Sequence, residues 1–319
     1  MRKLIDKIFA LEELCENPPV LLDIGASGQL NHKWKKIAKY SICLAFDADN
    51  RDFQFIEKEQ TFFKKLYIYN CIALDQDQTK ADFYLTKSPY CSSVLVPDAE
   101  GLKPYINSHL FEVENKVELN AIHIQKALNE AKLDYVDWYK SDSQGMDLRL
   151  FKSLDENIRS KVILAEFEPG IIDAYIGEDK LYSVIQELTN NRFWLSEMQI
   201  KGVPRLPKEF LDSEFNGSIF KKLIKESLKK ATGWGELTFI NNFESESLGI
   251  REFILGWLFS TLENHHSFAF VLAKKGFAKF KSEIFSDLEK YSKNEMKKEV
   301  YRLKFLPTLL NYLKKKNTK

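Results

Sequence analysis

The fold is decided by the stretch Val20-Leu-Leu-Asp-Ile-Gly-Ala-Ser-Gly-Gln29. It begins as a short apolar strand that stops at Asp23 and continues into the glycine turn Gly25-x-x-Gly28. A second apolar strand, from Ile42 to Phe46, ends on the carboxylate of Asp47. A strand that runs into a glycine turn, followed about 20 residues later by an acid at the end of a second strand, is the layout of a nucleotide-binding crevice. The stretch therefore predicts an α/β fold with a nucleotide-like ligand at these strand ends.

Strand-like and helix-like segments alternate from this stretch onward. Further strands are predicted at residues 66–74, 81–86, 116–123, 135–142, 162–168, 192–200 and 236–242. Apolar residues at helical spacing predict helices at residues 3–16, 34–40 and 124–131, and along Leu181, Val184, Ile185 and Leu188. Strands that alternate with helices indicate a mainly parallel sheet covered on both faces.

Two regions are expected along the chain. Residues 1–243 form the ligand-binding α/β domain, and residues 244–319 form a C-terminal helical region. The domain carries a lid-like insertion at residues 87–115 and a Lys-rich helical insertion at residues 201–235. An irregular insertion such as 87–115 is either a binding loop or a surface excursion, and the sequence favours neither.

Composition disfavours several classes of protein. With 44% hydrophobic and 29% charged residues the chain is typical of a globular protein, and a net charge of +1 provides no basic field for nucleic acid. The cysteines lack C-x-x-C spacing and indicate thiols in a reducing compartment. The apolar run from Phe253 to Ala273 is interrupted by polar residues, and the N-terminus lacks the apolar part of a signal peptide. We therefore expect a cytoplasmic protein with no transmembrane segment and no nucleic acid as main partner.

The glycine turn departs from the dinucleotide pattern G-x-G-x-x-G. Ala26 stands inside the turn, and Asn31-His-Lys-Trp-Lys35 follows where a third glycine would open the next helix. The sequence D-I-G-A-S-G resembles the first motif of class I S-adenosylmethionine methyltransferases, in which an acid precedes the turn and the ligand carries no phosphate.

A second set of motifs is more specific. Val136-Asp-Trp-Tyr-Lys-Ser-Asp-Ser-Gln-Gly-Met-Asp-Leu148 is similar to the K-x-D-x-E/Q-G-x-E/D-L signature of FkbM-type methyltransferases. Leu44-Ala-Phe-Asp-Ala-Asp49 resembles that family's strand-two motif, although Asp47 and Ala48 replace its usual Glu and Pro. Ser92-Ser93 stands where the family commonly has a serine pair. The resemblance covers roughly residues 18 to 200.

The resemblance implies a fold, a cofactor and a reaction. The fold is a Rossmann-like class I methyltransferase with a mostly parallel sheet of seven strands, here with a C-terminal helical extension. The reaction moves the methyl group of S-adenosylmethionine to a hydroxyl oxygen. The acceptors implied are small molecules or glycans, such as sugars of bacterial surface polysaccharides or natural products.

Cofactor-binding residues are expected at the carboxyl ends of the first strands, where ligands of open α/β sheets bind. Contacts with the methionine moiety and ribose are expected from Asp23, Gly25, Ala26, Ser27 and Gly28. Asp47 accepts hydrogen bonds from the ribose hydroxyls, with Ala48 beside it, and Ile72 lies near the adenine.

Catalytic residues are expected at the ends of the fourth and fifth strands. Lys140 and Asp142 are two residues apart and share a strand face, as do Glu166 and Glu168. The candidate catalytic residues are Asp142, Lys140 and Glu168, with Lys140 lowering the pKa of Asp142. Alternatively, Lys140 and Asp142 form a buried ion pair that only orders the strand end.

The use of the carboxylates stays open at this point. Asp142 with Glu166 or Glu168 could hold a divalent cation, or one of the three accepts the hydroxyl proton. Substrate contacts are expected from Glu166, His123, Tyr90 and Ser92, although His123 stands where the family often has an acid.

Two other functions compete with methyl transfer. One is a nicotinamide-dependent oxidoreductase, which the missing third glycine disfavours. The other is a non-catalytic module of the same fold that binds partners through residues 244–319, by forming a homo-oligomer or by docking to a biosynthetic complex. Intact motif residues such as Asp142 argue against the second.

Overall fold

The computed structural model of the chain describes residues 1–26, 31–49, 62–301 and 307. The chain divides into two compact units. One is an α/β unit, Pro18–Asn242, and the other is a helical unit that combines Met1–Asn17 with the residues from Phe243 onward. The N-terminal segment, predicted as part of domain 1–243, therefore groups with the C-terminal helices. It also forms two short helices, where one helix over 3–16 was predicted.

Ten strands lie in the described residues. They are β1 (Val20–Ile24), β2 (Ile42–Phe46), β3 (Lys65–Tyr69), β4 (Ile72–Leu74), β5 (Lys80–Thr86), β6 (Val113–His123), β7 (Trp138–Ser141), β8 (Leu164–Phe167), β9 (Phe193–Val203) and β10 (Ala231–Asn241). Seven of them form one sheet in the order β3-β2-β1-β7-β8-β10-β9. The pairs from β3 to β8 are parallel, and β10 is antiparallel to both of its neighbours. The predicted α/β fold with a mostly parallel sheet is confirmed.

Helices cover this sheet and build the helical unit. They are α1 (Arg2–Ile8), α2 (Glu12–Glu16), α3 (Ala99–Leu102), α4 (Ile124–Glu130), α5 (Asp147–Lys152), α6 (Glu156–Arg159), α7 (Leu181–Asn190), α8 (Lys208–Glu214), α9 (Ser218–Ser227), α10 (Ile250–Leu262), α11 (His266–Phe280) and α12 (Ile284–Tyr301). Short 3-10 helices occur at His32–Lys36, Ala38–Tyr40, Pro89–Cys91 and Ser108–Phe111. The described residues contain no helix with the length and apolarity that crossing a membrane requires.

The strand order creates a crevice in the middle of the sheet. The chain runs outward from β1 to β2 and β3 and then returns to place β7 on the other side of β1. At such a switch point the loops leave neighbouring strands in opposite directions, and ligands bind outside the carboxyl ends of the strands. All five residues of β1 are buried, as expected for the central strand of a sheet covered on both faces.

The predicted strand at residues 66–74 is wrong in one respect. It divides after Tyr69 into β3, which extends the large sheet, and β4, which pairs with β6 in a separate three-stranded sheet of order β4-β6-β5. No glycine or proline marks the division in the sequence. Pairing with different partners separates the two strands, and such long-range pairing leaves no local signal.

Aromatic packing makes the sheet beside the switch point rigid. Tyr139 on β7 is fully buried, with ring centroids 5.1 Å from Phe151 and 5.5 Å from Phe167. Phe167 in turn lies 6.1 Å from Phe239 on β10. Contacts between buried rings restrict side-chain freedom, so this packing orders β7 and β8 relative to each other.

Candidate active site

A cavity of about 500 Å³ opens at the carboxyl ends of β1, β2, β7 and β8. Its wall includes Gly25 after β1, residues 47–49 after β2, residues 142–146 after β7, and Glu168 after β8. Residues of the insertion 87–115, among them Tyr90 and Phe111, complete it. Part of the insertion 87–115 therefore forms a section of the cavity wall.

Gly25 lets the exits of β1 and β7 approach each other. Its φ is +76°, and a Cβ placed on it would lie 2.0 Å from the carbonyl oxygen of Asp142. The backbone N–H groups of Gly25 and Ala26 both donate to the carbonyl oxygen of Phe46 at 3.0 Å, and Asp142 N–H donates to Ile24 at 2.9 Å. These bonds hold three strand ends together in a backbone conformation that favours glycine.

Two aspartates and an apolar wall follow β2. Asp47 and Asp49 are buried and line the cavity, and the Asp49 N–H donates to Oδ1 of Asp47 at 2.9 Å. Phe46, Ile72 and Ala73 form the adjoining apolar wall. Carboxylates beside an apolar slot suit a ligand that has hydroxyl groups next to a flat base. Asp47, Ala48 and Ile72, which were expected to contact the ribose and adenine, all line the cavity.

Asp23 was expected to contact the cofactor, but it lies behind the cavity wall. Its carboxylate is fully buried and lies 2.7 Å from the ammonium group of Lys140, and the described residues that line the cavity include neither of them, nor Ala26. Burial by itself lowers the pKa of Lys140, but the charges of Asp23 and Asp142 outweigh it, so that this pKa is raised. Burial raises the pKa of Asp23 against the opposing charge of Lys140. The short contact favours the ionised pair, which orders the strand ends.

Glu166, which was expected to contact the substrate, also lies away from the cavity. Its carboxylate accepts hydrogen bonds from Asn31 at 2.7 Å, Lys33 at 2.7 Å and Trp138 at 3.0 Å, and it does not line the cavity. Glu166 lies within β8 and points to a sheet face, whereas Glu168 lies after the strand ends at Phe167. The alternation rule that grouped the two acids holds only inside a strand.

A hydrogen-bonded loop presents Asp142 to the cavity. The side-chain amide of Gln144 donates to Oδ1 of Asp142 at 2.7 Å, and the Tyr175 hydroxyl lies 2.9 Å from Oε1 of Gln144. Gln144 has a φ of +55°, a strained conformation for a residue with a Cβ. The Ser93 hydroxyl donates a hydrogen bond to the backbone carbonyl oxygen of Gln144 at 2.8 Å. Gln144 stands in the K-x-D-x-E/Q-G motif, the signal by which its role could have been found.

The carboxyl group of Glu168 has a raised pKa. Burial, followed by the negative charge of Asp142, raises its pKa to about 9. A protonated carboxyl group donates a hydrogen bond but cannot accept a proton from a substrate. Of the two carboxylates expected to accept the proton here, Asp142 is therefore favoured over Glu168.

Replacing Glu168 by Gln should stabilise the protein at alkaline pH. The folded chain keeps Glu168 protonated up to about pH 9, whereas the unfolded chain ionises it above about pH 4.5, so the free energy of unfolding falls as the pH rises between these values. Since Gln stays neutral, we expect Glu168→Gln to gain roughly 2–4 kcal/mol near pH 8 and little near pH 5. Urea unfolding at both pH values measures this.

The control for this variant is Glu197→Gln, which removes an exposed carboxylate of β9. It should change the free energy of unfolding by less than about 0.5 kcal/mol at either pH. An equal gain for Glu168→Gln at both pH values would contradict a protonated Glu168.

The remaining expected residues are placed as follows. Tyr90 and Ser92 line the cavity, and the Ser92 hydroxyl also accepts the Thr86 N–H at 3.1 Å. His123 ends β6 in the smaller sheet and does not line the cavity, which corrects its expected substrate role. Ser27 and Gly28 lie outside the described residues.

A divalent cation is not supported. In the described part of the chain, no group of three or more His, Cys, Asp or Glu side chains could hold a metal ion. Of the two combinations predicted, Asp142 with Glu166 fails because the Glu166 carboxylate is bonded to Asn31 and Lys33 away from the cavity.

Sequence reasoning missed the side of the cavity opposite the strand ends, which is called here the far wall. Glu178 lines it, with its side chain buried in an ion pair 2.6 Å from Lys180, and its carboxylate accepts the Ala174 N–H at 2.8 Å. Trp234 and Asn107 also line it. In the described part of the structure, Nε1 of Trp234 and Oδ1 of Asn107 are buried without a hydrogen-bond partner. These residues lie far apart in the chain, and no motif pointed to them.

Comparisons with known proteins add little. No family model matches the chain, and no curated protein matches it. Among solved structures, the crystal structure of precorrin-6y C5,15-methyltransferase from Geobacter metallireducens is similar over 75% of this chain and 87% of that chain, with 10% identity and a TM-score of 0.33. A similarity of that size carries no inference about function, so the resemblance to FkbM-type enzymes rests on the motifs.

Proposed function

We propose that this chain is an S-adenosylmethionine-dependent methyltransferase that moves a methyl group to a hydroxyl oxygen. The observation that carries the proposal is the charge of the cavity at the switch point. Its wall holds the carboxylates of Asp47, Asp49 and Asp142, together with Glu178, which is paired with Lys180, and Glu168, which has a raised pKa. A pyrophosphate would be repelled there, whereas a ligand with ammonium and sulfonium groups is attracted.

The helix ends near the cavity support the same choice. The backbone N–H groups of Leu148 and Arg149, the second and third residues of α5, both donate to the carboxylate of Asp179 at 2.9 Å. A dinucleotide site needs free N–H groups at a helix N-terminus for its pyrophosphate. The nicotinamide alternative is therefore disfavoured.

The residues present fit the cofactor. Asp47 and Asp49 would accept hydrogen bonds from the ribose hydroxyls, and Phe46, Ile72 and Ala73 would hold the adenine. Gly25 exposes backbone where a side chain would not fit. Asp23 does not line the cavity, and its ion pair with Lys140 orders the strand ends behind it.

The chemistry divides between the cofactor and the chain. S-adenosylmethionine supplies an activated methyl group. Asp142 accepts the proton of the acceptor hydroxyl as the oxygen forms its bond to carbon, and Gln144 holds the Asp142 carboxylate in position. Glu168, being protonated, donates a hydrogen bond at the same end of the cavity. The rigid ends of β7 and β8 keep these groups aligned for an in-line transfer.

The far wall suggests a sugar as the acceptor. It offers the rings of Tyr90, Phe111 and Trp234, together with the polar groups of Asn107 and Glu178. Aromatic rings pack on the apolar faces of sugars, and the polar atoms pair with their hydroxyl groups. We infer an acceptor in bacterial surface-polysaccharide or natural-product biosynthesis, consistent with the resemblance to FkbM-type enzymes.

Calorimetric titration tests the cofactor assignment. We expect S-adenosylmethionine and its demethylated product to bind with micromolar dissociation constants, and Asp47→Asn to weaken both by about 10- to 100-fold, because a charged acceptor of ribose hydrogen bonds is lost. Asp77→Asn, which changes an exposed aspartate, is the matched control and should bind as the parent does. Heat from NAD(H) but none from S-adenosylmethionine would replace the proposal by the oxidoreductase.

A further inference from the structure

The connection between β9 and β10 carries a surface that the proposed function does not use. It comprises residues 204–230 and contains α8 and α9, and it is called here the α8–α9 insertion. Its second helix has the sequence Ser-Ile-Phe-Lys-Lys-Leu-Ile-Lys-Glu-Ser, in which apolar residues and lysines occupy opposite sides at helical spacing. No residue of α9 is buried. The insertion therefore contributes little to the core of the α/β unit.

The apolar side of α9 faces solvent. Ile219 is 78% exposed, Phe220 55% and Leu223 61%. Phe210 on α8 adds a further exposed ring. A helix of a soluble protein turns its apolar side toward the core, so this orientation is the reverse of the usual one. A contiguous patch of this kind marks a surface that is covered by something else.

Positive charge accompanies the apolar side. From Ser218 to Lys230 the chain has five lysines and one glutamate, whereas the net charge of the whole chain is +1. Lys221 is paired with Asp212 at 2.9 Å, and Lys222, Lys229 and Lys230 are exposed. Lysines that flank exposed Phe, Ile and Leu side chains complement a surface that is both apolar and negatively charged.

The base of the insertion is attached beside the cavity. The Arg205 guanidinium donates to the Tyr105 hydroxyl at 3.1 Å, and the Ile106 N–H donates to the Pro204 carbonyl at 3.3 Å. Val203 and Trp234, which lie on either side of the insertion in the chain, line the cavity. A surface that holds the insertion would therefore be close to the cavity wall.

We propose that the α8–α9 insertion docks this protein on the surface of a membrane that contains anionic lipids. Phe220, Leu223 and Ile219 enter the boundary between headgroups and acyl chains, and the lysines contact lipid phosphates. The charge complementarity selects a lipid surface over an apolar patch of another protein, which would bury the lysines or require acids opposite them. This inference depends on the insertion alone and not on the proposed methyl transfer.

Vesicle flotation of the full chain tests the proposal. The probes are vesicles of phosphatidylglycerol and phosphatidylcholine in equal parts, and vesicles of phosphatidylcholine alone. We expect binding to the first that weakens with added salt, and at least about tenfold weaker binding to the second. The double variant Phe220→Ser, Leu223→Ser should lose about tenfold or more of the binding, because it removes the side chains that enter the lipid.

The matched control is Tyr182→Ser, which removes an exposed ring from α7, outside the insertion. It should bind vesicles as the parent does, and circular dichroism should show the same fold for all variants because the replaced side chains are exposed. A parent protein that fails to float with anionic vesicles overturns the proposal, and so does equal flotation of parent and double variant. Self-association that the double variant abolishes, without vesicle binding, would assign the patch to a second copy of the chain.

Discussion

Gly25→Ala should lower the free energy of unfolding of the α/β unit and weaken the binding of the cofactor. The new Cβ would lie 2.0 Å from the carbonyl oxygen of Asp142, and the backbone φ of +76° disfavours any side chain. A left-handed conformation costs alanine about 1–2 kcal/mol, and displacing packed backbone costs a further 1–3 kcal/mol, so we expect a loss of about 2–5 kcal/mol in the free energy of unfolding. Urea unfolding of the parent and the variant measures it.

Gly177→Ala is a matched control for this variant. Gly177 has a φ of +74°, almost the same as Gly25, but no atom lies within 4 Å of the position of its Cβ. It should lose only about 1–2 kcal/mol. The difference between the two variants isolates the contact with Asp142. Equal losses would show that β1 and β7 do not approach as closely as described, and the site would lose its geometric basis.

Cofactor affinity gives Gly25→Ala a second readout. Movement of the Asp142 backbone would displace two walls of the cavity together, so we expect S-adenosylmethionine to bind at least about 30-fold more weakly at a temperature where the variant is folded. Gly177→Ala should bind within about threefold of the parent, since Gly177 does not line the cavity.

Asp142→Asn should leave a folded protein that binds cofactor but transfers methyl groups about 10²- to 10⁴-fold more slowly. The amide keeps the size of the carboxylate and can still present an oxygen to Gln144, but it cannot accept the hydroxyl proton. Cofactor affinity should change by no more than about tenfold, because other carboxylates of the cavity stay in place. Mass spectrometry of the surface polysaccharide from cells with the parent, the variant or neither protein reports the transfer.

A second readout tests whether the charge of Asp142 acts on Glu168. The charge of Asp142 contributes to the raised pKa of Glu168, so Asp142→Asn should lower that pKa toward its ordinary value. The stabilisation gained by Glu168→Gln near pH 8 should therefore shrink in the Asp142→Asn background. Unchanged methylation in cells with Asp142→Asn would remove Asp142 from the reaction and favour the non-catalytic alternative.

The carboxyl groups of the cavity have a consequence for ligand binding. Burial, followed by the negative charges of Asp142 and Glu236, raises the pKa of Glu168. A cationic ligand would offset that charge and lower the pKa of Glu168, so binding should release protons near pH 8. Binding of the cation and release of the proton are then coupled. This coupling favours a positively charged cofactor, whereas a phosphate would raise the pKa of Glu168 further.

Sequence patterns predicted the strand ends that carry the cavity. Gly25, Asp47 and Asp142 were each expected at the carboxyl end of a strand, and the cavity brings them together. The reason is that the alternation of strands and helices implies a parallel sheet, and parallel strands present their carboxyl ends at one edge. The same reasoning misplaced Lys140 and Glu166, because two-residue alternation continues only as far as the strand does.

By itself the sequence determined local structure: the apolar strands, Gly25 at the end of the first strand, and the acids that follow the strands. Those features depend on neighbouring residues, so they can be read from short patterns. Only the tertiary structure decided that Tyr69 and Ile72 belong to different sheets, that Asp23 pairs with Lys140, and that Glu178 faces the cavity. These outcomes depend on which distant strands pair and on how loops leave the strand ends, and packing over the whole unit settles both.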